Sequence, residues 1–121
     1  MIFCILFGKM EYLKNNLPTL KLICNCTKKS NTKKIIIGAD DNLIRALNDC
    51  VLNTLNGNIN LSGKEKKKLK KFKIYLRRIL KQKTTKDKKK ILVQEGHGFL
   101  PLILPGAITL ITALLENIIK K

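Results

Sequence analysis

Apolar residues recur along this chain at three- and four-residue steps, the spacing that lines one face of an α-helix. Leu13, Leu17, Leu20 and Cys24 form the first set. They predict an amphipathic helix over Glu11–Cys26, weakened by Pro18, which is best tolerated if the helix begins near Asn16. Thr27–Thr32 is polar and reads as a turn. Lys33–Ile37 ends in three isoleucines, where pattern alone does not separate a short helix from a strand. Ile44, Leu47, Val51 and Leu55, flanked by Leu43 and Cys50, mark the next helix. Asp40 or Asp41 caps its start, because a carboxylate accepts the orphan amide hydrogens and suits the positive helix end. Asn56-Gly57-Asn58 stops it with a left-handed exit.

Ser62-Gly63-Lys64-Glu65 is a capping box and opens a helix predicted to run to about Gln82. Leu69, Phe72, Leu76, Ile79 and Leu80 fall within an arc of about 100° and form an inward stripe. That stripe is expected to pack on Leu43, Ile44, Leu47, Val51 and Leu55. Thr84 and Thr85 break this helix and cap a short one through Val93, with Asp87 in its first turn. Gly96-His97-Gly98 reads as a hinge. Phe99–Leu115 then carries no charge, and Pro105-Gly106 predicts a helix break inside it.

These elements predict an all-α protein of four parts. Residues 1–10 form an apolar N-terminal extension, 11–94 a small basic helical domain, 95–98 a glycine hinge and 99–121 a hydrophobic helical tail. The first residues lack the basic start, long apolar run and cleavage site of a signal peptide, so Met10 is a candidate start and secretion by a signal peptide is not expected.

Charge changes the picture. Fifteen of the chain's 25 basic residues lie between Lys64 and Lys90, against two acids, Glu65 and Asp87. That window holds thirteen of the net charge of +17. A field this concentrated attracts nucleic acid or anionic lipid. The chain also has 22 Lys, three Arg and 11 Asn, the usage that AT-rich coding DNA gives by mutation alone, yet the lysines cluster and the asparagines do not. The candidate nucleic-acid contacts are Lys66, Lys67, Lys70, Lys71, Lys73, Arg77, Arg78 and Lys81, continued by Lys88, Lys89 and Lys90. Lysine is a point charge suited to neutralising phosphate. Scarce Arg argues against base-edge readout, and residues 64–71 offer only Lys, Glu and Leu, too little for a helix-turn-helix recognition helix. Phe72 and Tyr75 are too few for a single-strand stacking platform.

The apolar segment admits three readings. It is a shallow or membrane-disrupting insert, a short transmembrane anchor, or a buried helix against the domain or an oligomer partner. The membrane readings assign lipid contact to Phe99, Leu100, Leu102, Ile103, Leu104, Ile108, Leu110, Ile111, Leu114 and Leu115. Cys4, Cys24, Cys26 and Cys50 form no Cys-x-x-Cys pair, and His97 is the one histidine, so no metal site is expected and the thiols read as reduced. No nucleophile, base or carboxylate pair stands at catalytic spacing, so neither an enzyme nor a cofactor is expected.

The run Val51–Leu69 with its Leu55-Asn56-Gly57-Asn58 turn, the Lys-rich helix, Lys88–Gly96, and the Gly98-Phe99-Leu100-Pro101 start of the tail carry a resemblance. They resemble short basic proteins encoded by Maverick/Polinton-type elements and adintoviruses, a family likened to adenovirus core protein X. The likeness covers residues 12–115. It departs at His97, which splits the expected glycine pair, and at Met1–Lys9, which has no counterpart. It implies a virion component acting on the packaged genome, in the virion core and, during assembly, in the host nucleus or cytoplasm. The leading expectation is therefore a viral core, histone-like protein that binds and condenses double-stranded DNA without sequence preference. The alternative is a membrane-active or membrane-associated virion protein acting through its tail. Expected partners are double-stranded DNA, an anionic membrane or the capsid interior, and further copies of the chain.

Overall fold

The computed structural model of the chain describes the backbone of residues 10–120, with side chains over residues 14–113 and at Glu116. The fold is all-helical. Among the described residues, five helices lead to one long one: α1 (Met10–Cys24), α2 (Lys29–Ile37), α3 (Asp41–Leu55), α4 (Gly63–Leu69), α5 (Lys73–Lys81) and α6 (Thr85–Lys120). The expectations on Met1–Lys9 lie outside the described residues.

Local chemistry sets the helix ends. Asp40 Oδ1 accepts the Leu43 amide at 2.9 Å and starts α3. Gly57, at φ +77°, ends it in the left-handed region that lets the Asn58 amide reach back to the Asn53 carbonyl. The Asn58 side chain adds a second bond, from Nδ2 to Asn53 Oδ1 at 3.0 Å. At α4, Ser62 Oγ accepts the Glu65 amide (3.1 Å) and Glu65 Oε1 accepts the Ser62 amide (3.0 Å), completing the box. The ambiguous Lys33–Ile37 is the last part of α2.

Two expected boundaries shift. The Lys-rich helix is not continuous: Lys70–Phe72 tightens into a 3-10 turn between α4 and α5. Helix α1 does not begin near Asn16 but runs from Met10, leaving Pro18 inside it. Pro18 faces solvent, where water can serve the carbonyl that loses its partner.

The larger correction concerns the C-terminal third. Neither the hinge nor the break at Pro105 forms, and the short helix ending at Val93 is only the start of α6. This helix has 36 residues, about 54 Å at ~1.5 Å per residue, and packs against all five others. Ile91, Leu92, Phe99, Leu100, Ile103, Leu104, Ala107 and Ile111 are buried in one core with Leu20 and Ile23 of α1, Ile36 of α2, Leu43 to Val51 of α3, and Leu69, Leu76 and Ile79 of α4 and α5. The tail is thus the centre of the domain. A helix enclosed by neighbours is apolar on most sides, so uniform hydrophobicity marks burial here.

The glycines of α6 serve close approach. A Cβ on Gly98 would stand 2.7 Å from Phe72 Cε1 and 2.9 Å from Cζ. One on Gly106 would run into Ile59 Cγ2, and one on Gly96 would crowd Ile36 and Leu100 at 3.3 and 3.1 Å. These positions let surrounding helices and the 56–62 loop close onto the helix, at a helix-propensity cost of about 1 kcal/mol each relative to Ala. Pro101 and Pro105 face solvent, and Thr109 Oγ1 donates to the Pro105 carbonyl at 2.9 Å.

Candidate nucleic-acid interface

Helices α4 and α5 carry the basic face because their apolar stripe fixes their rotation. Leu69, Leu76 and Ile79 turn inward, with Phe72 and Leu80 half-buried, so the bases at intervening positions must face out. Lys66, Lys67, Lys70, Lys71, Arg77, Arg78 and Lys81 are exposed, and Lys73 is half-buried. The structure therefore turns the predicted residues of this segment away from the core, with Lys66, Lys67, Lys70, Lys73 and Arg77 along one flank and Lys71 on the other. Glu65, the acid within it, is held by its capping bond to Ser62.

One edge of this surface is concave. A groove of about 650 Å³ runs between α4–α5 and the end of α3 with its following loop. Lys66, Lys67, Lys70, Lys73 and Arg77 line one side, Asn58 and Asn60 the other, and Leu55, Ile59, Leu61 and Leu69 contribute apolar lining. Among the described residues, no carboxylate lines it. The asparagines escape sequence reading because their loop lies outside the charge cluster, and only the fold of α3 back toward α4 places them there. A second, smaller concavity contains Lys68 and Lys71 with Phe72, Gly98, Pro101 and Leu102.

Lys88 and Lys89 of the predicted site carry structural bonds. Lys88 Nζ donates to Asn48 Oδ1 (2.8 Å) and to the Ile79 carbonyl (2.9 Å), so its ammonium serves the exposed C-terminal carbonyls of α5 and ties α6 to α3. Burial lowers its pKa, and the nearby Asp49 charge opposes that shift. Lys89 Nζ donates to the Ala39 carbonyl at 2.9 Å. Both ammonium groups are committed to the fold, while Lys90 is exposed. The only sequence clue was their position in the first turns of a helix whose partners were then unknown.

Of the residues assigned to lipid, Phe99, Leu100, Ile103, Leu104 and Ile111 are buried in the core, and Leu102, Ile108 and Leu110 are half-buried. The side chains of Leu114 and Leu115 lie outside those described. Thr85–Ala113 is nonetheless long and apolar enough to cross a membrane by length and composition.

The remaining reactive groups are quiet. Burial, helped by the charge of Asp49, pushes the Cys50 thiol up to about 12, which keeps it protonated and inert at neutral pH. Burial also raises Cys24. Among the described residues, no three His, Cys, Asp or Glu side chains are grouped to hold a metal ion. His97 Nδ1, in the first half of α6, is buried without a hydrogen-bond partner among the described residues.

Comparison with known proteins finds no matching family model, no matching curated protein and no matching solved structure.

Proposed function

We propose that this protein binds double-stranded DNA without sequence preference through the outer face of α4 and α5, as a core protein of a virion of the Maverick/Polinton and adintovirus kind. The observation that carries the reading is the groove in which Lys66, Lys67, Lys70, Lys73 and Arg77 stand together with no carboxylate among the described residues. Like charges this close repel, so their assembly costs stability unless a polyanion neutralises them. Lysine binds phosphate as a point charge and gains affinity from counterion release, which favours backbone over base contact. The virion setting rests on the sequence resemblance alone.

The test is duplex affinity across a salt series. If about eight phosphates are neutralised, log affinity should fall against log salt with a slope of roughly −7, equally for unrelated sequences. Replacing Lys66, Lys70, Lys73 and Arg77 by Gln should flatten that slope by up to ~4 units. A salt-insensitive affinity, or a preference above ~100-fold for one sequence, refutes the proposal.

A second reading, membrane association through α6, is favoured by the length and hydropathy of Thr85–Ala113. It requires Phe99, Leu100, Ile103 and Leu104 to leave the core for lipid, so membrane activity would come with loss of the fold. Dye release from anionic vesicles, followed together with helix-packing signals, tests it. Leakage with the core intact would rule out that route.

A further inference from the structure

We propose that one copy of this protein bridges two DNA duplexes, because α4–α5 presents cations in two separate concavities on opposite flanks of its buried stripe. The inference rests on the DNA-binding reading and goes beyond it by assigning a second duplex to a second surface.

The groove beside the 56–62 loop holds Lys66, Lys70, Lys73 and Arg77. The concavity beside α6 holds Lys68 and Lys71 with Phe72, Pro101 and Leu102. Among the described residues they share no lining residue, and neither is lined by a carboxylate. At ~100° per residue, Lys68 and Lys71 sit roughly 140–200° around the helix from Lys66, so the two sets point away from each other. The buried residues Leu69 and Leu76 lie on the inner side between them, and Lys67 and Arg78 crown the outer side. A duplex is a rigid, convex polyanion. One lying along the first flank leaves the second flank facing away from it, with its charge unneutralised and open to another duplex. The Gly98–Phe72 contact holds that flank in place, since Phe72 and Gly98 both line it and the missing Cβ lets α6 approach.

The experiment uses the full chain with two short duplexes of unrelated sequence, one carrying a donor dye and the other an acceptor. Anisotropy reads binding of one duplex, and energy transfer reads bridging. Wild-type protein at less than saturating ratio should give transfer. The K68E variant changes a residue outside the eight contacts assigned to the first duplex, and it should keep single-duplex affinity within about threefold while transfer falls about fivefold or more. The replaced side chain is exposed, and an unchanged helical melt verifies the fold. Transfer that survives K68E assigns bridging to association between chains and overturns the proposal. Binding of one duplex without transfer by the wild type also overturns it, while leaving the DNA-binding reading in place. No anisotropy change at all overturns both.

Discussion

Gly98 of α6 lies against the Cε1–Cζ edge of the Phe72 ring, which in turn meets Phe99 with ring centroids 6.2 Å apart and planes tilted by 55°. A residue that reads as a hinge is thus the contact point between the basic face and the central helix. A methyl group there has nowhere to go unless the ring shifts. Gly98→Ala should lower stability by about 1–3 kcal/mol despite its better helix propensity. Chemical denaturation measures this. Phe72→Leu in the same chain should recover part of the loss, giving a non-additive cycle. Gly63→Ala, with open space around its Cβ, should be near neutral.

Leu104 separates the two views of the C-terminal segment. As part of a detached tail it would tolerate truncation, but it is fully buried. Leu104→Ala should cost roughly 2–5 kcal/mol, as should Leu76→Ala across the core. A chain ending at Gln94 should lose cooperative unfolding altogether, because it lacks the core side chains from Phe99 to Ile111, which belong to the helix that the five others contact. Calorimetry distinguishes the outcomes.

Lys88 and Lys90 should exchange roles. Lys88→Met breaks the bonds to Asn48 and the Ile79 carbonyl and should destabilise the fold by about 1–3 kcal/mol with little change in duplex affinity per folded molecule. Lys90→Gln should leave the melting temperature unchanged and weaken duplex binding slightly.

Cys50 predicts an alkaline weakness. Its folded pKa, raised to about 12 from 9.0, exceeds that of the open chain, so its protonated form stabilises the fold below pH 9 and that contribution disappears between pH 9 and about 12. A shift of this size corresponds to on the order of 4 kcal/mol. Lys88 acts oppositely: its lowered pKa makes stability rise with pH up to its ordinary value of 10.5. Stability against pH for wild type and Cys50→Ala should diverge in slope above pH 9, whatever the cavity costs at neutral pH.

Signals that act within a few residues were legible in the sequence. Asp40, the Ser62–Glu65 box and Gly57 each fix a helix end through neighbours one turn away, and each is found as read. The stripe Leu69–Leu76–Ile79 was legible because it contrasts with lysines. The fate of residues 96–115 was not. A glycine permits either freedom or close approach, and Gly96, Gly98 and Gly106 are settled by Ile36, Phe72 and Ile59, all distant in sequence. Uniform hydrophobicity likewise suits lipid or encirclement, and only the number of surrounding helices decides. For the site, the exposed row on α4 and α5 was visible, while the structural duty of Lys88 and Lys89 depended on carbonyls of α5 and of the α2–α3 connection.

The helix that every other described helix leans on is made after all of them. As the chain leaves the ribosome, at ~5–20 residues per second, the apolar faces of α1, α2 and α3 emerge seconds before Phe99–Ile111 arrive to cover them. The core is completed by side chains of α6, so folding is expected to finish with a late, long-range event, slower than the local pairing of helices would allow. Until then the lysines of α4 and α5 are held by a chain without a fixed shape, beside the RNA that produced it. The order of the helices along the sequence therefore makes the nascent chain a client for whatever shields apolar and cationic surface during those seconds.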